Sequence, residues 1–461
     1  MKRLIHIRSY FVRTDTFKSL AVDRVGLYKF CLMTTKIEKV LDRITEDRWV
    51  KLATQLIKTG QPSAGDPLDP DLPPGQEEAI AMLVAGKLEA MGMEVNTYES
   101  MPHRPNVVGL LKGSGDGPVL MMNDHMDTYP VVEPQKWDKT NFDPFTATRH
   151  GDLLYARGSS DTRGNMASAL LAAQALIEEG FQLSGDLMYC FCVDEERDGT
   201  HGSIYLMNEV GIKADYSITA EPTAWEDPDS GCWGMNLSVA NAGHCLIEIK
   251  VCGQKAHIWR PDTSNNAIVE VASLIPLLQT IQFTHTPTAL MGHTPPCVTI
   301  VRINGGLPGE MQFSPDECKL TLAVVGIVPG MTLDSIITDL TSLITDHFSG
   351  RDDLSFCVNQ VKDSLFVEAT TPVPDDQEPC VSIAKAYSQL MDGQRPIINR
   401  KNAFNDTIRF REAGINAVTF GPGEDGWNPD NESISIPKAV MAAKMYALTI
   451  VNILGAVGDV D

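Results

Sequence analysis

The most informative absences in this 461-residue sequence concern positive charge, cysteine pairing and long apolar runs. Lysine and arginine number only 38 against 60 acidic residues, and the resulting net charge of −22 argues against a nucleic-acid partner, which requires a cationic surface. The ten cysteines form no CxxC pairs and mostly lie in apolar segments, so they indicate buried free thiols and a cytoplasmic location. No apolar run approaches the length of a membrane-spanning helix, so no membrane partner is predicted.

Motifs of several common catalytic classes are also absent. There is no GxSxG elbow, no GxGxxG or GxxxxGK[ST] loop opens a predicted helix, and the cysteines lack the context of a catalytic triad. These absences argue against a serine or cysteine nucleophile and against a phosphate-cradling nucleotide site.

The order of predicted elements indicates two domains of α/β class, because 461 residues exceed one ordinary core. Strands alternate with helices from Thr34 onward, which predicts a mainly parallel sheet flanked by helices over 33–240 and 363–461. Residues 241–362 instead read β-α-β-β-α-β, a ferredoxin-like inserted domain. In its first strand the period-two alternation places Cys245, Ile247, Ile249 and Val251 on one face.

Residues 1–32 differ in composition from the rest of the chain. They carry seven Lys/Arg and two Asp/Glu, which is typical of an organellar presequence. Alternatively, Met33 is the true start and the upstream residues are an extension of the gene model. Neither interpretation gives this segment a catalytic role, but a presequence would imply an organellar location.

Acidic residues and a histidine follow directly after apolar strands at several points of the chain. His125 and Asp127 follow VLMMND, Glu195 and Glu196 follow LMYCFCVD, and Glu221 follows YSITA. Ligands bind at the carboxyl ends of the strands in such sheets, so these side chains are expected to meet there. Asp161 lies in a glycine-flanked loop just before a helix. Because buried carboxylates require compensation, the pattern predicts a pair of divalent cations.

The motifs of this chain resemble a family of metal-dependent exopeptidases and deacylases. That family includes acetylornithine deacetylase, succinyl-diaminopimelate desuccinylase, aminoacylase and glutamate carboxypeptidase. The resemblance runs from about Thr34 to the C-terminus. It rests on HMDTYPV, the downstream Trp137 and DPF, LLYARGSSDTRG, DEERDGTHGS, AEPT, GQKAHIWRPDTSNNAI, INGGLPG, and GPG with NPDNE.

The resemblance implies a set of metal ligands. His125 and Glu221 would bind the first ion, Glu196 would bind the second, and Asp161 would bridge both. Asp127 would orient the His125 ring, since a carboxylate that accepts the other imidazole N–H fixes its tautomer. The implied cofactor is Zn²⁺, as one or two ions, with Co²⁺ or Mn²⁺ as alternatives.

The resemblance also implies catalytic and substrate-binding residues. Glu195 would be the general base, taking a proton from water and passing it to the leaving amine. His257, in the inserted domain, would reach the active site of a second subunit and stabilise the oxyanion, which implies a homodimer. Arg260, Asn266 and Gln312, the last in place of a family asparagine, would contact the substrate.

Two departures from the family pattern concern the metal and the substrate. Asn428 stands where the family has a histidine ligand four residues before Glu432, and an amide is a poor zinc ligand. Asp425 or Asp430 could replace it, or the second site could hold a harder ion. Gly326 falls where many members carry an arginine, which puts the usual anchoring of a substrate carboxylate in doubt.

We therefore predict metal-dependent hydrolysis of an amide bond in a small N-acyl amino acid, dipeptide or related substrate. The altered ligand leaves two alternatives open. One is a non-hydrolytic binding protein, and the other is a condensing or acyl-transfer enzyme on the same fold.

Overall fold

The protein is described here from a computed structural model, which covers residues 35–60, 65, 72–290, 295–424 and 430–456. Helices are numbered along the chain as α1 Glu46–Ile57, α2 Glu78–Ala90, α3 Arg163–Glu178, α4 Ala267–Leu278, α5 Leu333–His347, α6 Glu378–Leu390, α7 Thr407–Glu412 and α8 Ile436–Leu454. Strands in the first half are β1 Glu94–Tyr98, β2 Asn106–Leu111, β3 Val119–His125, β4 Thr148–His150, β5 Leu153–Tyr155, β6 Asp186–Cys192, β7 Tyr216–Thr219, β8 Ala224–Glu226, β9 Trp233–Met235 and β10 Leu237–Asn241. Those in the second half are β11 Gly243–Cys252, β12 Cys297–Gly305, β13 Glu317–Ile327, β14 Ser355–Gln360, β15 Ile398–Lys401, β16 Asn416–Thr419 and β17 Ser433–Ser435.

The larger sheet has eight strands in the order β1-β2-β6-β3-β7-β16-β10-β15. Its centre is parallel, because β3 pairs in parallel with β6 and β7, and β16 pairs in parallel with β7. The β1–β2, β2–β6 and β10–β16 pairs are antiparallel, so the sheet is mixed. Six successive residues of β3 and of β6 are buried, as expected for strands covered on both faces. The predicted α/β class is confirmed.

The inserted segment forms a second sheet with its own core. Its four strands lie in the order β12-β13-β11-β14 and are antiparallel, and α4 and α5 pack on it. The side chains of Cys245, Ile247, Ile249 and Val251 are all fully buried there. The β-α-β-β-α-β order is therefore confirmed, while the exact bounds 241–362 stay a prediction.

Two predictions about helices were wrong: that one helix covers 36–59, and that no apolar run approaches the length of a membrane-spanning helix. The periodicity over 36–59 predicted one helix, but the helical segment 35–43 ends before Thr45, whose side chain accepts a hydrogen bond from Arg48 N. Thr45 is extended, so it caps α1 and starts a new helix at Glu46. Helix α8 is also long and apolar enough to cross a membrane. However, 72% of its apolar window is buried in the fold, as in a core helix.

The parallel centre of the larger sheet brings the predicted site residues to one edge. Strand β3 ends at His125, β6 ends two residues before Asp194, and β7 ends two residues before Glu221. Because parallel strands end at the same edge, these segments converge there. The turn between β15 and α7 reaches the same edge from the C-terminal part of the chain.

Candidate metal centre

The predicted ligands form one compact cluster around His125. Its Nε2 atom lies 3.1 Å from Asp161 Oδ1 and 3.6 Å from Glu195 Oε2. Two sets of three side chains each bring their ligand atoms within 4.8 Å of one another. The first set is His125, Asp161 and Glu196, and the second is His125, Glu195 and Glu221. The sequence therefore identified side chains that come together, while the assignment of Glu195 as base rather than ligand stays a prediction.

Asp127 holds both the histidine and the acidic turn. One of its carboxylate oxygens lies 3.5 Å from His125 Nδ1, and its backbone oxygen lies 3.1 Å from the same atom. Its carboxylate also accepts hydrogen bonds from the backbone N–H groups of Glu195 and Glu196. When the proton is on Nδ1, Nε2 is unprotonated and its lone pair can bind a metal ion. Asp127 thus fixes the positions of three groups in the cluster at once.

The electrostatics of the cluster fit divalent cations. Glu195 and Glu221 are 5% and 3% exposed, and among the described residues neither Glu196 Oε1 nor Glu221 Oε1 has a hydrogen-bond partner. Burial raises the pKa of Glu221 to about 7 and raises the pKa values of Glu195 and Glu196 well above their ordinary range. One imidazole nitrogen and several carboxylate oxygens form a donor set that suits Zn²⁺, Co²⁺ or Mn²⁺.

Two residues that the sequence analysis missed position Glu221. Lys401 Nζ donates to the Pro222 carbonyl at 3.0 Å and lies 3.4 Å from Glu221 Oε2. Asn405 Nδ2 donates to the same carboxylate oxygen at 3.1 Å. Lys401 is the last residue of β15, a strand of four residues that periodicity did not reveal, and Asn405 lies in the turn that follows it. The only signal in the sequence was a run of polar residues between two apolar segments.

Glu432 fixes the loop that carries Asp161. Its carboxylate accepts hydrogen bonds from the backbone N–H groups of Gly158, Ser160 and Asp161 at 2.9, 2.7 and 2.9 Å. It also pairs with Arg157 at 3.0 Å. Glu432 is 4% exposed, so this contact is inside the fold and sets the backbone position of Asp161.

We expect Glu432→Gln to weaken metal binding by about 10–100-fold, the usual effect of losing a group that supports a metal ligand. Glutamine places an NH₂ group against backbone N–H donors and removes the negative charge that pairs with Arg157. Titration of zinc against a chelator of known affinity measures the change. Glu94→Gln, at an exposed glutamate paired with Lys112, is the control and should bind zinc like the wild type. Wild-type affinity in Glu432→Gln would contradict the assigned role.

Two predicted residues of the inserted domain, His257 and Arg260, have contacts within that domain and do not line the cleft described below. The ring of His257 packs edge-on against Phe313 at 5.6 Å between centroids. The Arg260 guanidinium pairs with Asp262 in the same loop and is 65% exposed. Their predicted roles in another subunit's active site stay predictions.

The remaining predicted residues have local contacts. The side chain of Asn266 accepts a hydrogen bond from Ile268 N and caps α4, and the backbone oxygen of Gln312 accepts from Ile258 N. Neither side chain lines the cleft described below, so their substrate contacts stay predictions. Asn428 and Asp425 lie outside the described residues. Asp430 lies within them and is half-buried.

A cleft of about 680 Å³, including its open mouth, leads to the cluster. Five acidic residues line the cleft, and we call them its floor: Asp161, Glu195, Glu196, Asp198 and Glu221. The other lining residues, which we call its walls, are Tyr129, His244, Val325, Asn402, Ala403 and Phe404. The arrangement can hold a small molecule with one polar group against the carboxylate floor.

Comparisons with known proteins agree on one class. Residues 121–452 match the family described as peptidase family M20/M25/M40. The chain is 26% identical over 440 residues to N-formyl-4-amino-5-aminomethyl-2-methylpyrimidine deformylase of Bacillus subtilis, covering 88% of this chain and 95% of that protein. Its fold is similar to human carnosine dipeptidase 1, with a TM-score of 0.72, 16% identity and coverage of 91% and 98%. It is also similar to Bacillus subtilis YXEP, described as a dinuclear metal-binding peptidase, with a TM-score of 0.57, 16% identity and coverage of 89% and 99%.

Proposed function

The chain belongs to peptidase family M20/M25/M40, and on that basis we propose that its buried cluster is the active site of a metal-dependent amidohydrolase. The reaction is hydrolysis of an amide bond in a small N-acyl compound. One observation carries this proposal: a histidine and several carboxylates converge in a buried cluster, and among the described residues Glu196 Oε1 and Glu221 Oε1 have no hydrogen-bond partner. Such a cluster is stabilised by divalent cations, and bound cations of this kind can activate water for amide hydrolysis.

The side chains of the cluster have separate roles in metal binding and proton transfer. His125 and Glu221 would hold one ion, Glu196 the other, and Asp161 both. When bound, ions of this kind polarise the substrate carbonyl and lower the pKa of water. Glu195 takes a proton from the attacking water and delivers it to the leaving amine nitrogen, so the amine departs neutral. Asp127 keeps the Nε2 lone pair of His125 available by accepting a hydrogen bond from Nδ1–H.

The substrate proposed is an N-acyl amino acid, a dipeptide or a related N-acylated amine. Two similarities support this range. The Bacillus subtilis relative is named for removal of a formyl group from an aminomethyl pyrimidine, and the human protein of similar fold is named a dipeptidase. Both reactions break an amide bond between a carbonyl and a small amine.

The test of this function is removal and return of the metal. We expect dialysis against a chelator to abolish hydrolysis of a panel of N-formyl and N-acetyl amines, and we expect Zn²⁺, Co²⁺ or Mn²⁺ to restore it. Restoration by no divalent ion, or full activity without one, would contradict the proposal. Magnesium-only restoration would exclude zinc as the native ion.

Elemental analysis of the same samples measures how many ions bind. Because Asn428 replaces the family histidine, we propose one tight and one weaker site in the wild type. Asn428→His should then raise the number retained after dialysis from one to two. Two tightly held ions in the wild type would contradict this.

We propose a homodimer formed through the inserted domain. Strand β12 is the edge of its sheet, and Val301 and Ile303 on that edge are 49% and 45% exposed. Trp259 and Met311, in the loops beside it, are 81% and 89% exposed, which is unusual for such large apolar side chains. Ile303→Lys should shift the sedimentation of the protein from dimer to monomer. A wild-type monomer at assay concentration would contradict the proposal and the predicted role of His257.

We also propose a cytoplasmic location, which the free cysteines of the described residues support. Imaging of the full chain with a C-terminal fluorescent tag tests it. An organellar signal would favour the presequence interpretation of residues 1–32.

A further inference from the structure

The cleft above the metal centre has an unusual chemical composition. Its floor is acidic and belongs to the catalytic cluster, but its walls combine the rings of Tyr129 and Phe404, the His244 imidazole, two aliphatic side chains and an amide. No lysine or arginine stands among the described residues that line it. The acyl and amine substituents of a bound substrate would therefore contact the walls rather than the floor.

The Phe404 ring is held firmly in its wall. The guanidinium carbon of Arg409 lies 5.3 Å from the ring centroid, and the His244 ring meets it edge-on at 6.1 Å. His244 is in turn paired with Asp198 at 2.9 Å. A ring supported on two sides loses little conformational freedom when a ligand packs on it, so Phe404 is a preorganised apolar contact.

Tyr129 contributes a second ring. It follows His125 by four residues, its side chain lines the cleft, and it is 50% exposed. Tyr129 offers an aromatic surface and a hydroxyl donor, but no positive charge.

Two buried cations beside the cleft, Arg409 and Lys401, already have hydrogen-bond partners in the fold. Arg409 is 8% exposed and donates to the Asp198 carbonyl and to the Glu412 carboxylate. Lys401 is 3% exposed and donates to the Pro222 carbonyl beside Glu221. A carboxylate on the substrate would therefore lose water without gaining a charged partner from the described walls, and it would lie near Asp198.

Resting on the proposed function, we infer that the amine half of the substrate is an aromatic ring on a short alkyl chain, without a carboxylate. Phe404 and Tyr129 would pack on the ring, and the acyl group would lie over the carboxylate floor. The substrate class is thus an N-acylated arylalkylamine, including nitrogen heterocycles, rather than an N-acyl amino acid. Aromatic packing favours a ring by about 2–12-fold beyond the effect of buried area, which is enough to select one.

A pair of substrates that differ only by the carboxylate tests this inference. N-formyl-2-phenylethylamine and N-formylphenylalanine share ring, spacing and amide. With zinc-loaded protein we expect kcat/KM to favour the first by at least about tenfold, as loss of one charge contact predicts. Binding of the same pair to zinc-loaded Glu195→Gln should show the same preference in Kd.

Variants of the walls give a reciprocal test. Phe404→Leu should lower kcat/KM for the phenylethylamide by about 2–10-fold and leave the cyclohexyl analogue nearly unchanged. Val325→Arg places a cation in the wall, whereas Val325→Gln is its neutral control. We expect only the arginine variant to shift the preference toward N-formylphenylalanine.

The outcomes separate this inference from the proposed function. Hydrolysis of both compounds with preference for N-formylphenylalanine would overturn the inference and leave the function intact. If Arg260→Ala then removed that preference, the missing cation would come from the inserted domain of a second copy. If zinc-loaded protein hydrolysed neither, the function would fail, and the Kd ratio of the Glu195→Gln protein would still decide the inference.

Discussion

Glu195→Gln lowers kcat by about 10²–10⁴-fold and leaves the metal content unchanged, because it removes the group that moves the proton but no assigned ligand. Glutamine has nearly the shape of glutamate and cannot accept a proton at neutral pH. The residue is 5% exposed, and its carboxylate lies 3.6 Å from His125 Nε2, close to the reacting atoms. Steady-state kinetics on an N-formyl amine, with elemental analysis of the same preparation, measures both effects.

The neighbouring Glu196 is the control that distinguishes loss of a metal ligand from loss of the general base. Glu196→Gln should lose metal together with activity, since Glu196 is assigned as a ligand and Glu195 is not. Glu209→Gln, at an exposed position, should change neither. Loss of an ion in Glu195→Gln would contradict the proposed division, because Glu195 also lies within ligand distance of His125 and Glu221. The two glutamates would then exchange roles.

Arg104→Met lowers the free energy of unfolding by about 3–5 kcal/mol, the usual effect of removing one partner from a buried charged network. Two of the guanidinium nitrogens lie 2.9 and 2.6 Å from Glu77 Oε1, and a third lies 2.8 Å from Asp194 Oδ1. The three side chains are 1%, 0% and 5% exposed. Without the arginine, two carboxylates remain buried and repel each other. Urea denaturation of zinc-loaded protein measures the loss.

The pH dependence distinguishes this charge effect from a packing effect. Burial already raises the pKa of Glu77 to about 7 in the presence of Arg104. A folded-state pKa above the unfolded value means that the folded state binds more protons, so stability rises as pH falls from 7 toward 4.5. The deficit of Arg104→Met should therefore shrink in that window, and Glu77→Gln with Asp194→Asn should restore part of it at pH 7. A deficit independent of pH would contradict the charge effect.

The same network has a catalytic consequence that the denaturation experiment does not measure. Asp194 precedes Glu195, has a left-handed φ of 65°, and accepts a hydrogen bond from His201 N. Arg104 thus anchors the turn that carries the proposed base. We expect kcat of Arg104→Met to fall more than KM rises, because a displaced base impairs proton transfer more than substrate binding.

The sequence predicted the cluster because its members follow apolar strands. In parallel strands, position at the end of a buried run fixes which edge of the sheet a side chain occupies, so His125, Glu195 and Glu221 could be brought together without coordinates. The family resemblance and the inserted fold were also readable, since both rest on patterns of several residues. Asp161 was found only through its motif, because no strand leads into it.

The supporting residues could not be predicted in this way. Arg104 and Glu77 lie 27 positions apart, and neither follows an apolar strand, so their pairing depends on how α2 packs beside β2. Lys401 and Asn405 contact Glu221 from positions 180 and 184 residues later in the chain. Such contacts are set by tertiary packing rather than by local pattern. The break at Thr45 was missed because apolar periodicity continues across it.

The hydrogen bonds of Glu432 tie the loop of Asp161 to the last part of the chain to be synthesised. The loop of Asp161 is fixed by a residue 271 positions downstream, and Glu221 is fixed by residues 180 and 184 positions downstream. A chain still attached to the ribosome therefore carries the glutamates and the histidine without their final supports. We therefore expect a nascent chain that lacks this C-terminal segment to bind metal ions weakly and to have no hydrolase activity.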